Sequence, residues 1–291
     1  MKIGIGTVQF GLDYGISNGS GKTPKGEAAA ILAEARAAGV TLLDTAPAYG
    51  DSETVLGACL PDGHPFRIVT KTAVPGHPFS RADLAELEKA FQESLKRLGA
   101  ERVYGILVHR VADLLGPDGD ALHAFLAKLK SGGLVAKIGV SVYTPAEVDA
   151  LLGRYPFDLI QLPLNVLDQR MIAEDHLGKL KRAGAEIHVR SAFLQGLLLM
   201  DPQTVPAYFN PIKPKLDAYG AALRELSMTP LQGALGFVTG MPEVDTVVCG
   251  VNTAAQLAGI LASAAPLDRA PFAGFSVDEE SFINPSLWKL A

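Results

Sequence analysis

The stretch Leu42-Leu43-Asp44-Thr45-Ala46-Pro47-Ala48-Tyr49-Gly50 joins an apolar run to two polar side chains. The apolar residues from Val40 onward predict a buried strand, and Asp44 stands at its C-terminal end. Tyr49 follows five residues later, in a turn bounded by proline and glycine. This stretch therefore predicts a strand that delivers an aspartate and a tyrosine to one end of a sheet.

Two later apolar runs end in the same manner. Ile68-Val69-Thr70 leads into Lys71, and Ile106-Leu107-Val108 leads into His109. The C-terminal ends of the strands in a parallel barrel share one rim, where functional residues gather. We expect this lysine and histidine to meet the aspartate and tyrosine of the first stretch at one site.

The whole chain alternates short apolar runs with amphipathic or alanine- and leucine-rich segments. This pattern predicts an α/β protein, a (β/α)8 TIM barrel forming one domain over residues 1–291. An open doubly wound sheet is the alternative, but it would place its ligand near one switch point rather than around a rim. The predicted strands are 3–7, 40–44, 67–71, 103–109, 135–140, 158–162, 185–190 and 245–249. The predicted helices are 24–38, 51–59, 80–98, 118–131, 144–153, 172–183, 229–239 and 253–263.

Two segments depart from the alternation. Residues 196–228 form a long, proline-containing excursion after the seventh strand, with a helical pattern over 216–226. Such an excursion is typical of a lid or substrate loop, and equally of a packed surface elaboration. The C-terminal tail, 271–291, carries the only tryptophan, Trp288, and we expect it to pack onto the body.

Composition excludes several classes of protein. The 291 residues are 48% hydrophobic and carry a net charge of -5, which argues against a nucleic-acid binder that depends on a basic face. Cys59 and Cys249 offer neither a disulfide framework nor a metal-binding spacing, so we expect free thiols in a reducing cytoplasm. We expect no signal peptide, no membrane span and no metal site, since the six histidines form no ligand motif.

A glycine-rich stretch, Gly15 to Thr23, is close to a phosphate-binding P-loop but has five residues, not four, between Gly15 and the Gly-Lys-Thr. No apolar strand leads directly into Gly15. The stretch is better interpreted as a flexible loop that enters the first long helix.

The four polar residues are suited to reducing a carbonyl group. That reaction needs a proton donor at the carbonyl oxygen. A tyrosine has an ordinary pKa near 10, which we expect a neighbouring lysine to lower, with an aspartate holding that lysine charged. A histidine can orient the carbonyl. Taken singly, the same residues could be a helix cap, a turn aromatic, a solvated strand end and a packed histidine.

At this point the sequence resembles the aldo-keto reductase superfamily, from Gly6 to about Leu261. The resemblance implies a (β/α)8 barrel that reduces carbonyls with NAD(P)H. It implies that Tyr49 is the general acid, that Lys71 and Asp44 tune it, and that His109 orients the substrate. The matching text is Leu43–Gly50, Ser52-Glu53, Leu56-Gly57, Val69–Lys71, Leu107–His109, Lys137–Ser141, Gln161 and Leu194–Gly196.

The resemblance also implies a set of cofactor contacts. Ser141 and Gln161 match residues that hold the nicotinamide carboxamide, whereas Val142 replaces the usual asparagine. Arg190 stands where relatives stack an aromatic ring on the nicotinamide, and a guanidinium plane can also stack; a salt bridge is the alternative for Arg190. The other implied contacts are Gly6, Thr7, Ser191, Phe193, Leu194, Gln195, Gly196, Gly250, Val251, Asn252 and Gln256.

The implied cofactor is NADP(H), with NAD(H) also possible. Relatives hold the adenosine 2′-phosphate with an arginine or lysine, but Asn252 and Gln256 occupy those positions here. A phosphate without a guanidinium partner loses its strongest hydrogen bonds, so we expect a weakened preference for NADPH.

The resemblance implies a small-molecule substrate with an aldehyde, ketone or sugar-like carbonyl. Candidate pocket walls are Phe10, Tyr14, Tyr143 and Trp288. Two alternatives remain: a non-catalytic nicotinamide-binding regulator on the same fold, and a barrel isomerase or epimerase that binds a sugar phosphate and uses Lys71 and Asp44 in proton transfer.

Overall fold

The computed structural model describes residues 2–290 and forms a closed barrel of eight parallel strands. Each strand pairs with the next along the chain, and the last pairs with the first, so the alternation predicted from the sequence is confirmed and an open sheet is excluded. The strands are β1 (Ile3–Gly6), β2 (Leu42–Asp44), β3 (Arg67–Lys71), β4 (Val103–Val108), β5 (Val135–Ser141), β6 (Leu159–Pro163), β7 (Glu186–Arg190) and β8 (Thr246–Gly250).

Helices connect the strands, and six of the eight predicted helices lie within two residues of the observed bounds. The helices are α1 (Val8–Gly11), α2 (Lys25–Ala37), α3 (Ser52–Cys59), α4 (Leu84–Leu98), α5 (Ala112–Leu115), α6 (Gly119–Ser131), α7 (Pro145–Leu152), α8 (Arg170–Ala173), α9 (His176–Arg182), α10 (Lys213–Glu225), α11 (Pro230–Thr239), α12 (Ala254–Ser263) and α13 (Glu280–Ile283).

Local sequence signals explain where several helices begin and end. Ser80 and Asp83 form a reciprocal capping box, so residues 81–83 make a 3₁₀ turn before α4 begins at Leu84. Gly99 ends α4 in the left-handed region, with φ 63°. The prediction of one helix over 172–183 is wrong, because Asp175 has φ 55° and separates α8 from α9.

The barrel interior changes from apolar to polar along its axis. Leu42, Val69, Leu107 and Leu159 form a buried apolar layer across the middle of the barrel. Two residues further along three of these strands lie Asp44, Lys71 and Gln161, and their side chains are also buried. Because side chains of one strand face the same side at every second residue, these three polar groups join the same interior at its C-terminal end.

The excursion after β7 packs against the tail rather than standing away from the body. Phe209 is fully buried and meets the Trp288 ring at a centroid distance of 4.9 Å. The Tyr208 hydroxyl donates to the carbonyl of Ser281 over 2.9 Å. The packed interpretation of the excursion is therefore favoured over the lid, and the prediction that Trp288 lines the pocket is wrong.

Among residues 2–290, no helix combines the length and the apolar character needed to cross a membrane.

Candidate active site

A buried ion pair lies at the C-terminal end of the barrel. The Lys71 Nζ atom donates to Asp44 Oδ1 over 2.7 Å and to the Thr45 carbonyl over 3.1 Å. Both charged side chains are at most 5% exposed. Burial is the largest single effect and acts to lower the pKa of Lys71, but the interactions with Asp44 and Tyr49 together outweigh burial, so the pKa of Lys71 is raised. The lysine is therefore held in its charged form.

The second oxygen of the aspartate is also occupied. The Gln161 Nε2 group donates to Asp44 Oδ2 over 2.7 Å, and Ser141 Oγ lies 3.4 Å from Gln161 Oε1. The sequence predicted Gln161 and Ser141 only as cofactor contacts. No sequence signal relates a glutamine on β6 to an aspartate on β2, so this support of the ion pair was missed.

The loop that carries Tyr49 is pressed against the start of the chain. A side chain at Gly11 would place its Cβ 1.7 Å from the Tyr49 carbonyl oxygen, so only glycine fits there. Gly50 has φ 58°, in the left-handed region that favours glycine. The Ser52 hydroxyl donates to the Thr7 carbonyl over 2.8 Å. These contacts fix the loop and direct Tyr49 toward the barrel axis.

The Tyr49 ring lies between the lysine and the histidine. Lys71 Nζ is 4.8 Å from the centroid of the Tyr49 ring, and the His109 ring stands at 90° to it with centroids 6.1 Å apart. Burial raises the pKa of the Tyr49 phenol, and the Lys71 charge offsets part of that rise. The Lys71 charge therefore acts in the expected direction, but burial leaves the pKa of Tyr49 above its ordinary value.

His109 is held by its backbone and is neutral. Its backbone N–H donates to Thr72 Oγ1 over 3.2 Å. Burial, helped by the positive charge of Lys71, lowers the pKa of His109 to about 4. Its Nδ1 atom is buried and has no hydrogen-bond partner among residues 2–290. The predicted four residues thus meet as one cluster with a neutral imidazole.

A cleft of about 480 Å³ opens above this cluster. It is lined by all four predicted catalytic residues and by all but two of the predicted cofactor residues. The exceptions are Leu194 and Val251, whose side chains are buried in the core and do not line the cleft. The predicted cofactor residues that line the cleft are Gly6, Thr7, Ser141, Gln161, Arg190, Ser191, Phe193, Gln195, Gly196, Gly250, Asn252 and Gln256.

The loop after β7 has an unusual backbone. Ser191, Leu194 and Gln195 have φ values of 59°, 48° and 53°, and Gly196 follows with φ 96°. Left-handed residues other than glycine are strained and cluster at functional sites. Successive backbone N–H groups in such turns form anion-binding concavities. This loop can therefore hold a phosphate group.

Gln9 is a second group in the cleft that needs a partner. It is 8% exposed, and its Oε1 atom has no hydrogen-bond donor among residues 2–290. A side chain at Gly250 would place its Cβ 2.4 Å from Gln9 Nε2, so the two residues are in close contact. An unpaired buried acceptor in the lining of the cleft would be satisfied by a hydrogen-bond donor on a bound ligand.

The loop after α1 forms one wall of the cleft, of which the sequence predicted only Tyr14. The Ile16 N–H donates to the Gln195 carbonyl over 3.1 Å, and Gln195 Nε2 donates to the Tyr14 hydroxyl over 3.2 Å. Residues 17–20 also line the cleft. The glycine-rich stretch from Gly15 to Thr23 could have indicated this wall. Its lysine, Lys22, is paired with Asp51 and does not line the cleft.

The aromatic walls were predicted in part. Tyr14 and Tyr143 line the cleft, whereas Phe10 is fully buried in the core and does not, so its assignment is wrong. The Arg190 guanidinium lies 4.0 Å from the centroid of the Tyr143 ring and donates to the Val142 carbonyl over 3.0 Å. The alternative of a salt bridge for Arg190 is not observed among residues 2–290.

The far end of the cleft lies beside the start of α12. Gln256 Oε1 accepts from the Asn252 N–H over 2.7 Å, and the Asn252 amide donates to the Gly21 carbonyl over 3.1 Å. Within the part of the chain that the structure describes, Lys71 and Arg190 are the only lysine and arginine that line the cleft. Both lie at the end that holds Tyr49, so the far end has no cation in its lining.

One cluster outside the cleft has the composition of a metal site. Asp149, Glu174 and His176 place potential ligand atoms within 4.8 Å of one another. However, the Lys179 ammonium lies 3.2 Å from Asp149 Oδ1 and 3.4 Å from His176 Nε2. The lysine already provides the positive charge that such a cluster attracts.

Comparisons with known proteins agree with this geometry. An uncharacterized oxidoreductase of Mycobacterium tuberculosis is 28% identical over 276 residues, which cover 88% of this chain and 82% of that protein. The NADH-specific methylglyoxal reductase of Escherichia coli is 29% identical over 187 residues, 57% of this chain and 56% of that protein. A crystal structure of an aldo-keto reductase from Pseudomonas aeruginosa, described as putative, superposes with a TM-score of 0.66 at 28% identity, covering 91% of this chain and 89% of that one.

The aldo/keto reductase family model matches residues 2–274, nearly the whole barrel. The chain therefore belongs to the aldo/keto reductase family.

Proposed function

We propose that the protein reduces the carbonyl group of a small aldehyde, ketone or sugar-like substrate with a reduced nicotinamide cofactor, and that Tyr49 donates the proton. The observation that carries this proposal is the buried ion pair of Lys71 and Asp44 beneath a phenol at the end of a long cleft. Burying two charges is costly, and a barrel rim that needed only packing would be filled more stably by apolar residues.

Each residue of the cluster has a distinct part in the proposed reaction. A reduced nicotinamide, when bound, would supply the hydride that the carbonyl carbon needs. Tyr49 gives its proton to the carbonyl oxygen, and its raised pKa keeps that proton in place before the reaction. The Lys71 charge stabilises the phenolate that remains, and Asp44 and Gln161 hold that charge in position. His109, being neutral, can donate a hydrogen bond to the same oxygen.

The cleft contains groups suited to each part of a dinucleotide. Ser141 and Gln161, at the reacting end, would bind the carboxamide. The left-handed loop 191–196 would bind the pyrophosphate, and residues 250–256 would bind the adenosine. The uncharged lining at the adenosine end supports use of NADH, or of both NADH and NADPH, over strict dependence on NADPH.

Replacing Tyr49 by phenylalanine tests the assigned acid. We expect Tyr49→Phe to lower kcat for carbonyl reduction by about 10²–10⁴-fold, because general acid catalysis contributes that much and the substitution removes only the hydroxyl. Steady-state rates with a panel of aldehydes and ketones, together with cofactor fluorescence titration, measure turnover and binding separately. Cofactor affinity should stay within about threefold of wild type.

The control is Tyr208→Phe, which removes a hydroxyl that donates to a backbone carbonyl far from the cleft. It should retain wild-type turnover. Unchanged activity in Tyr49→Phe would contradict the assigned acid. A wild-type protein that binds cofactor but turns over no carbonyl would indicate a regulator, and sugar isomerisation without nicotinamide would indicate an isomerase or epimerase.

The lowered pKa of His109 predicts a pH-dependent loss of stability. The folded pKa of about 4 lies below the ordinary 6.5, so protons bind preferentially to the unfolded chain between these values. The neutral His109 therefore contributes to the free energy of unfolding in full above pH 6.5, and this contribution is lost as the pH falls toward 4. At 1.36 kcal/mol per pKa unit the loss is about 3 kcal/mol. Urea denaturation at pH 7.5, 5.5 and 4.5 measures the free energy of unfolding at each pH.

The variant His109→Gln should lose less stability than the wild type over this pH range, because it lacks the titrating ring. His123→Gln, a change at a histidine outside the cleft, serves as the matched control and should follow the wild-type profile. Parallel profiles for the wild type and His109→Gln would show that His109 is not held neutral by its surroundings.

Cofactor choice can be measured by the ratio of kcat/KM for NADPH to kcat/KM for NADH. We expect this ratio to stay well below 100 in the wild type, and to rise at least tenfold in Gln256→Arg, which supplies a guanidinium for the 2′-phosphate. Gln92→Arg, an exposed change on α4, should leave the ratio unchanged. A wild-type preference for NADPH of 100-fold, about 2.7 kcal/mol, would refute the inference.

A further inference from the structure

The guanidinium of Arg190 is a fixed charge at the reacting end of the cleft. Tyr143 covers it at 4.0 Å, and the Val142 carbonyl accepts a hydrogen bond from it over 3.0 Å. Its other polar neighbour, the Ser191 hydroxyl, is 3.5 Å away and uncharged. Its side chain is half-buried, and no carboxylate among residues 2–290 forms an ion pair with it.

The reacting end therefore carries a net positive charge. Lys71 and Asp44 neutralise each other over 2.7 Å. Tyr49 keeps its proton, and His109 is neutral above its lowered pKa of about 4. The positive charge of Arg190 contributes to lowering the pKa of both residues, so its field reaches the reacting groups. What remains uncompensated is one charge, that of Arg190.

The register of the strands places this charge above the residues proposed to bind the nicotinamide. Ser141 pairs with Gln161, and Arg190 pairs with Pro163, two residues beyond Gln161 on the same strand. Arg190 thus stands one side-chain layer further out than the two carboxamide contacts, on the wall they share. A nicotinamide ring bound at those contacts would lie within the field of the guanidinium.

We propose that Arg190 makes the cleft select the reduced nicotinamide cofactor over the oxidised one. This inference rests on the proposed function. A dihydronicotinamide ring is neutral, whereas the oxidised ring carries a positive charge, so the two forms differ mainly in their interaction with a fixed cation. Like charges a few ångströms apart in a partly dry cleft repel each other more strongly than they would in water.

An aromatic ring at this position would carry no charge, and its face would attract a cation. It would therefore favour the positively charged oxidised nicotinamide, whereas the guanidinium of Arg190 disfavours it. The consequence is that oxidised cofactor leaves readily after each turnover and competes weakly with the reduced form. Arg190 is in this sense a selectivity residue for the redox state of the cofactor.

The experiment measures dissociation constants of NADH and NAD⁺ without substrate, by fluorescence titration for NADH and by displacement of NADH for NAD⁺. The quantity of interest is the ratio of the constant for NAD⁺ to that for NADH. We expect Arg190→Gln to lower this ratio at least tenfold, mainly by tightening NAD⁺. Arg190→Lys, which keeps the charge without the planar group, should retain most of the wild-type ratio.

Arg224→Gln, the same substitution at an exposed position of α10, is the matched control and should leave the ratio unchanged. An equal weakening of both forms in Arg190→Gln would show that Arg190 only stacks and would overturn the proposal. A ratio near one in the wild type would overturn it without any variant. Failure of the wild type to bind either form would instead refute the proposed function.

Discussion

The rest of the site depends on the burial of one ion pair, Lys71 with Asp44, at the end of a parallel barrel. Each charge would be costly alone in this position, and the pair is stabilised here by further hydrogen bonds to both of its members. Gln161 takes the second carboxylate oxygen and the Thr45 carbonyl takes a second lysine proton. The ion pair is therefore held in one position, and the Tyr49 ring packs against its lysine.

The fold supplies that rigidity from several strands at once. Asp44 ends β2, Lys71 ends β3 and Gln161 lies on β6, so the network crosses the barrel and cannot shift by moving one loop. Beneath it, the apolar layer around Leu107 excludes water from below. The cleft extends from this network to the start of α12. The proposed chemistry would take place at the end that holds Tyr49, and the other end would bind the adenosine of the cofactor.

The sequence predicts the barrel well because strand-ending polar residues and helix caps are local signals. Asp44, Lys71 and His109 follow apolar runs, and topology alone brings them together. Contacts between segments far apart in the chain have no such signal: Gln161 with Asp44 and Ile16 with Gln195 join residues more than a hundred positions apart. The raised pKa of Tyr49 has no local signal for a related reason, since burial is a property of the whole fold and here outweighs one neighbouring charge.

The central claim is that the fixed charge of Lys71 controls the proton on Tyr49. The most direct test is an NMR titration of ¹³Cζ-labelled tyrosine in the wild type and in the double variant Asp44→Asn/Lys71→Met, which leaves no unpaired buried charge. Lys71 lowers the pKa of Tyr49 more than Asp44 raises it, so removing both should move the pKa upward. A pKa that is unchanged or lower in the double variant would contradict the account.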